Sequence, residues 1–192
     1  MGKGRLEAFS DGVIAIIITI MVLEMKRPEE LSLAGLFEIA PHLAAYVLSF
    51  VYVGIYWNNH HHMFHAVKSV NGAILWANLH LLFWLSLVPF ATAWMGENSF
   101  SPLPVASYGV VMLMAGVAYA ILARLLLSHE GPDSLLAKAM GKDRKMLWSI
   151  YGYLAAIALT AFYTPISLAL YAGVALTWLV PDKRIERVMK AG

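Results

Sequence analysis

The chain has 192 residues, of which 60% are apolar and only 14% are charged, and its mean hydropathy is +0.66. One soluble domain of this size could not bury so much apolar surface, so the composition indicates an integral membrane protein. The absence of cysteine excludes disulfides, thiolate metal sites and cysteine nucleophiles. A net charge of +2 is too small to indicate a nucleic-acid partner.

Six apolar runs follow one another along the chain, at about residues 7–25, 36–57, 74–95, 105–127, 146–163 and 165–180. A bilayer core about 30 Å thick is crossed by roughly 20 helical residues, so the first four runs fit well and the last two are short. Thr164 and Pro165 divide the last two runs, because proline suits the first turn of a new helix. The sequence therefore predicts an all-α membrane protein, a single domain of six transmembrane helices over residues 1–192.

Two further features complete the predicted organisation. The first run ends at Glu24 and Met25 without a small-residue cleavage site, which favours a retained transmembrane span over a signal peptide. The polar connection at 128–145 is long enough to contain a short surface helix at about 134–140.

Basic residues lie mostly on one side of this six-span arrangement. Of the 14 lysines and arginines, 12 fall in the amino terminus, the second and fourth connections with their flanks, and the carboxy-terminal tail; Lys26 and Arg27 are the exceptions. Loops rich in lysine and arginine stay on the cytosolic side of a membrane. Both termini are therefore expected in the cytosol.

This topology brings polar residues of three spans into one layer near the cytosolic face. Asp11 lies about one turn into the first span, and His60 and His61 lie where the second span ends. Asn78 lies near the start of the third span. Because an ionisable group inside a membrane is costly unless it has a partner, Asp11 is expected to accept hydrogen bonds from the two histidines or Asn78, with Arg5 nearby.

The histidines leave two other functions open. His61 and His65 could bind zinc or iron, and His60 with His80 could bracket a haem, as in a membrane oxidoreductase. A catalytic metal would need more ligands at this depth, where only Asp11 qualifies, and the sequence contains no nucleotide-binding, hydrolase or metalloprotease motif. Enzyme function is therefore poorly supported. The other alternative is a proton-coupled transporter that uses Asp11 and the histidines.

One face of the first span has a second pattern. Gly12, Ile16, Thr19 with Ile20, and Leu23 recur at intervals of three and four residues, so they share a helix face. The pattern is compatible with ordinary helix packing, in which the hydroxyl of Thr19 bonds to its own backbone. It is also compatible with a stripe that lines a pore.

The polar motifs resemble those of the transmembrane protein 175 family of potassium channels. The resemblance rests on Arg5-x-x-x-Phe9-Ser10-Asp11-Gly12 before an isoleucine-rich run with Thr19, Trp57-x-x-His60-His61-x-x-Phe64, Asn78-Leu79 and Pro89-Phe90-x-Thr92. These motifs cover the first three spans, roughly half of the chain. Val88 differs from the leucine that the family more often has before Pro-Phe.

The resemblance implies a bacterial-type subunit of a homotetramer whose first helices line a central pore. It places a hydrophobic constriction at Ile16, a layer of hydroxyl groups at Thr19 and a further apolar layer at Leu23. A dry isoleucine ring can close a pore by dewetting, and threonine oxygens can replace part of an ion's hydration shell. The remaining motif residues, assigned to a network that holds the first span, are Arg5, Phe9, Ser10, Asp11, His60, His61 and Asn78.

The sequence and the resemblance together predict a passive, potassium-conducting channel for monovalent cations in a bacterial plasma membrane. No cofactor, metal site or nucleic-acid partner is expected; the partners are the permeant cations, the lipid bilayer and three further copies of the chain. The oxidoreductase and the proton-coupled transporter remain the alternatives.

Overall fold

The computed structural model describes residues 2–140 and 144–179 and is all-helical within them. The helices are α1 (Gly4–Leu23), α2 (Leu33–Glu38), α3 (Ala40–His65), α4 (Gly72–Ser86), α5 (Val88–Glu97), α6 (Pro102–Glu130), α7 (Leu135–Met140), α8 (Arg144–Leu159) and α9 (Thr164–Leu179). Lys142 and the basic tail at 183–190, which the topology prediction used, lie outside the described residues.

Four helical segments within the described residues are long and apolar enough to cross a membrane: α1, α3, α4 with α5, and α6. The third of these contains a break at Leu87, because Pro89 lacks an amide hydrogen and begins a new helix instead of continuing α4. The helices α8 and α9 are apolar but have 16 residues each. The boundary between them follows the prediction, with Pro165 in the first turn of α9.

The second span differs from the predicted range of 36–57 at both ends. The short helix α2, capped by the Ser32 hydroxyl that accepts from the Gly35 amide at 3.1 Å, precedes it, and α3 begins only at Ala40. At its other end α3 continues to His65, so the histidines at positions 60, 61, 62 and 65 lie on its last two turns and not in a connection. Histidine and asparagine are compatible with helical geometry, and the predicted end relied on hydropathy alone.

The predicted surface helix is present as α7. The Ser134 hydroxyl accepts a hydrogen bond from the Ala137 amide at 3.1 Å and so caps its amino terminus. Leu136 is buried, which anchors this short helix to the bundle.

The helix α6 is the centre of the bundle, packed against α4 and α5 on one side and against α8 and α9 on the other. Small residues allow this close packing. A Cβ atom at Gly109 would collide with the Tyr171 hydroxyl, so only glycine fits where α6 meets α9. The Tyr171 hydroxyl also donates to the Val105 carbonyl at 3.1 Å, and the Tyr171 carbonyl accepts from the Tyr52 hydroxyl of α3. Buried tyrosines therefore join α3, α6 and α9.

The helix α1 lies at the side of this bundle, in contact with α3, α4 and α5. Its own subunit covers only one of its faces, and this partial coverage defines the candidate functional site.

Candidate functional site

The buried face of α1 consists of Leu6, Ser10, Ile14, Ile17 and Met21. Their spacing of four, four, three and four residues is that of one face of an α-helix. Ser10 is the only polar side chain among them, and it is fully buried. This face attaches α1 to the rest of the subunit.

The predicted stripe lies on the opposite, exposed face of α1. The side chains of Ile16 and Leu23 are 57% and 81% exposed, and Gly12 and Thr19 are exposed as well. A Cβ atom at Gly12 would meet nothing within 4 Å. In a single subunit this apolar face has no protein partner among the described residues.

The Thr19 hydroxyl donates to the Ile16 carbonyl oxygen at 2.9 Å, within its own helix. This is the backbone bond that the packing interpretation expects. The bond uses the hydroxyl hydrogen and leaves oxygen lone pairs on an exposed side chain. Thr19 can therefore present an oxygen acceptor on the open face while its hydrogen stays paired.

A buried chain of hydrogen bonds holds the amino-terminal half of α1. Asn78 Nδ2 on α4 donates to Ser10 Oγ at 2.9 Å, and Ser10 Oγ donates to the Leu6 carbonyl at 2.8 Å. Asn78 Oδ1 lies 2.8 Å from His60 Nε2 on α3. Because Oδ1 can only accept, His60 must carry a hydrogen on Nε2. The three side chains, each at most 2% exposed, connect three helices at one point.

The expected partners of Asp11 are corrected by this arrangement. Asp11 is exposed, and its Oδ1 accepts from Trp57 Nε1 at 3.0 Å, not from the histidines or Asn78. The physical reason is helical rotation of about 100° per residue, which turns Ser10 inward and Asp11 to the side. His61 contributes through its ring, which stacks on Trp57 with a centroid distance of 6.0 Å.

Arg5 and Phe9 lie outside the buried chain of hydrogen bonds. Both are exposed, and the ion pairs described in the structure do not include Arg5. Lys3 has the anchoring contacts instead: its Nζ donates to the carbonyl oxygens of Phe64 at 2.6 Å and His65 at 3.2 Å. Cations stabilise the carboxy-terminal end of a helix, so Lys3 fastens the start of α1 to the end of α3.

Sequence reasoning missed the roles of Lys3 and Trp57. Both had a signal in the sequence, since Lys3 precedes the Arg5 motif and Trp57 opens the histidine motif. A third missed contact lies further along the bundle, where Thr92 Oγ1 is 2.7 Å from Ser49 Oγ and 4.0 Å from Met21 Sδ. Thr92 belongs to the Pro89-Phe90-x-Thr92 motif, but hydropathy does not show which helices are neighbours, so its partner Ser49 had no sequence signal.

The histidines do not assemble the ligand set that the oxidoreductase alternative requires. Across residues 2–140 and 144–179, no three His, Cys, Asp or Glu side chains lie close enough to hold one metal ion. His60 Nε2 faces Asn78, and His80 Nε2 accepts from Trp84 Nε1 at 3.0 Å. The nitrogens that would bracket a haem are therefore engaged in other hydrogen bonds.

Replacing Asn78 with leucine, which has a similar volume, should lower the free energy of unfolding by about 1–3 kcal/mol, because Ser10 and His60 would stay buried without their amide partner. Thermal unfolding of the purified protein in detergent measures the effect. Asp11→Asn is the matched control, since its side-chain oxygen can still accept from Trp57. A larger loss for Asp11→Asn than for Asn78→Leu would contradict the assignment.

Comparison with known proteins relates the whole chain to one family. Residues 5–89 match the family model described as endosomal/lysosomal potassium channel TMEM175. A protein from Chryseobacterium sp. (strain P1-3) that is named a potassium channel is 57% identical over 190 residues, which are 99% of both chains. Another potassium channel, from Streptomyces collinus (strain DSM 40733 / Tue 365), is 39% identical over 125 residues, or 61% of each chain.

The fold is also similar to a solved structure, the crystal structure of a lysosomal potassium-selective channel TMEM175 homolog from Chamaesiphon minutus. The TM-score is 0.80 at 28% identity, and the match covers 93% of this chain and 96% of that chain. These findings confirm the resemblance that the sequence motifs indicated. With 57% identity to a relative over nearly the full length of both, this chain belongs to the TMEM175 family, which is a family of ion channels and not of enzymes.

Proposed function

We propose that this protein is a subunit of a homotetrameric, potassium-conducting channel in which four α1 helices surround the ion path. The observation that carries the proposal is the exposed, regularly spaced face of Ile16, Thr19 and Leu23, opposite a fully packed face of the same helix. A single apolar helix cannot enclose water, but a closed ring of identical faces can. The names of the bacterial relatives as potassium channels support the choice of ion.

The hydrophobic constriction of this channel is formed by Ile16. Five residues separate it from Asp11, so at about 1.5 Å per residue it lies roughly 7–8 Å deeper than the acidic mouth. Four isoleucine side chains around an axis make a dry ring, where a hydrated cation loses water and gains no replacement oxygen. Leu23, one turn beyond Thr19, supplies a second apolar layer.

Thr19 supplies the oxygen layer between these two apolar rings. With its hydrogen on the Ile16 carbonyl, each hydroxyl can offer lone pairs to a partly dehydrated cation. Four such oxygens favour potassium over a smaller cation that holds its water more strongly.

The subunit is a single domain of six transmembrane helices, residues 1–192, in a bacterial plasma membrane. In this proposal the four long apolar helical segments and the two shorter helices, α8 and α9, cross the membrane in alternating directions. The distribution of basic residues puts both termini in the cytosol. In this orientation the bonds of Ser10, His60 and Asn78 lie at the cytosolic end of the pore, and Lys26 and Arg27 lie outside. No cofactor takes part.

The purified protein in liposomes tests the proposal directly. A potassium gradient should drive a passive flux that grows with the electrical driving force and is smaller when sodium replaces potassium. A flux that saturates with substrate and follows a proton gradient would favour the proton-coupled transporter. An absorption spectrum with a haem band, without ion flux, would favour the oxidoreductase.

Ile16→Asn should raise cation leak several-fold, because an amide at the axis wets the constriction without burying a polar group in the subunit. The matched control is Ile17→Asn, since Ile17 is 3% exposed and its replacement buries an amide in the core, which mainly harms folding. Liposome flux and gel filtration of both variants provide the measurement. A larger leak through assembled Ile17→Asn channels than through Ile16→Asn channels would refute the pore assignment.

Thr19→Val should lower the preference for potassium over sodium, because valine preserves the shape of the side chain but removes the oxygen. The bi-ionic reversal potential measures this preference. Thr19→Ser keeps the hydroxyl and serves as the control. If the reversal potential of Thr19→Val equals that of the wild type, Thr19 has a packing role and does not select ions.

A further inference from the structure

A cavity lies between α3 and α8, away from the exposed face of α1. The helix α6 forms its back wall around Gly116, and Trp178 of α9 closes one side. Its volume is about 40 Å³, several times the roughly 10–15 Å³ that a single water needs on this measure. The cavity is therefore large enough for a short run of methylene groups or a few waters.

The cavity is lined by residues 52–59 of α3 on one side and residues 146–153 of α8 on the other. At the closed end, the rings of Tyr52 and Tyr153 contact each other with centroids 6.2 Å apart. Beyond these rings the two helices share no extensive packing, although both pack in the bundle through other helices. We call the space between them the wedge; it is partly open, since Asn59, Met146 and Ile150 in its lining are only half-buried.

Few polar groups in the walls of the wedge need a hydrogen-bond partner from a molecule bound there. Ser149 Oγ donates to the Lys145 carbonyl and accepts from Trp178 Nε1, both at 2.8 Å. Asn59 Nδ2 donates to the Ile55 carbonyl at 2.8 Å. Much of the polar capacity at the walls is thus engaged within the protein, and the surface that remains is aromatic and aliphatic. Such walls favour an apolar occupant over ordered water.

The helix that forms one wall of the wedge, α8, has an apolar outer surface. The outer face of α8 exposes large apolar side chains, with Trp148 73% and Tyr151 63% exposed, as expected for a helix that contacts acyl chains. Met146 and Ile150 are half-buried at the rim. From Met146 to the closed end at Tyr153 the wedge spans seven residues, or about 10–11 Å, which fits within one leaflet of a bilayer core about 30 Å thick.

Lys145 directly precedes Met146 on α8, at the end of the wedge that the proposed orientation puts nearest the cytosolic surface. Lysine near a membrane surface attracts the phosphate of anionic lipids. The wedge and Lys145 together have the layout of a lipid site, with an apolar slot below a positive charge.

We propose that this wedge binds an acyl chain of an anionic phospholipid, with the lipid phosphate near Lys145. The orientation proposed above makes this a lipid of the cytosolic leaflet. The site lies between α3, which supplies His60, and the hairpin of α8 and α9, so the bound chain fills a gap within the subunit. It does not depend on how ions cross the pore.

Gly116 allows a direct test of the acyl-chain site. A Cβ atom there would lie 3.7 Å from the Tyr56 hydroxyl and 3.9 Å from Tyr153 Cε2, which are ordinary contacts, so a side chain built from it fills the wedge. Adding phosphatidylglycerol to the purified full-length protein in detergent should raise its melting temperature and leave bound lipid detectable by native mass spectrometry. Gly116→Leu should lose most of both effects.

Gly173→Leu is the control, because a Cβ atom at Gly173 meets nothing within 4 Å and this glycine does not line the wedge. It should bind lipid as the wild type does. If Gly116→Leu fails to assemble, Gly116→Ala should give a partial loss. Lipid binding by Gly116→Leu equal to that of the wild type would overturn the proposal. So would a wild type that phosphatidylglycerol does not affect, as expected if water or a neighbouring copy fills the wedge.

Two measurements separate the chain from the head group. Brominated acyl chains quench tryptophan on contact, so quenching should decrease in Trp178→Phe by the contribution of the half-buried Trp178; an identical quenched fraction would overturn the acyl-chain site. Lys145→Gln should remove the preference for phosphatidylglycerol over phosphatidylcholine and retain chain binding. An unchanged preference would overturn the phosphate contact at Lys145.

Discussion

The hydrogen bonds that connect Ser10, Asn78 and His60 determine how α1 is turned about its own axis. Apart from a few residues near its start and the hydroxyl of Thr19, α1 is aliphatic on every side. In a bilayer the hydrophobic effect cannot choose which of these sides faces protein, because acyl chains are as apolar as isoleucine. A buried serine fixes which side of α1 faces protein, because its hydroxyl needs a hydrogen-bond partner there. The rotation of α1 is therefore set by polar contacts and refined by packing.

The consequences follow from helical geometry alone. At 100° per residue, Ile14, Ile17 and Met21 lie within roughly 40° of Ser10, and all three are buried. Ile16, Thr19 and Leu23 lie about 180–240° around the helix from Ser10 and are exposed. The motif residues divide in the same way. Ser10 points into the subunit. Asp11 is rotated by a further 100° about the helix axis, and its carboxylate accepts a hydrogen bond from Trp57 at the surface.

This rotation also explains what the sequence could and could not predict. The four long apolar helical segments and most helix boundaries follow from hydropathy, since a membrane helix needs a long apolar run, and the Thr164–Pro165 boundary follows from proline geometry. Of the residues predicted to form the network, Ser10, His60 and Asn78 are hydrogen-bonded to one another, whereas hydrogen bonds to Asp11 were predicted where Ser10 receives them. Ser10 and Asp11 lie at nearly the same depth in the membrane. Hydropathy predicts this depth, but it does not predict the direction in which each side chain points from the helix. The contact between Tyr52 and Tyr171 could not be predicted either, because hydropathy does not show which helices are neighbours.

The two interpretations of Thr19 are compatible once its hydrogen bond is known. A threonine hydroxyl has one hydrogen and two lone pairs, and the bond to the Ile16 carbonyl occupies only the hydrogen. A hydroxyl fixed in this way keeps its oxygen in one place, which lowers the entropy cost of coordinating a cation. The backbone bond that seemed to favour a packing role is thus also what an ion-binding oxygen would need. It further ties Thr19 to Ile16, so the proposed oxygen layer and the proposed hydrophobic constriction lie on adjacent turns of the same helix face.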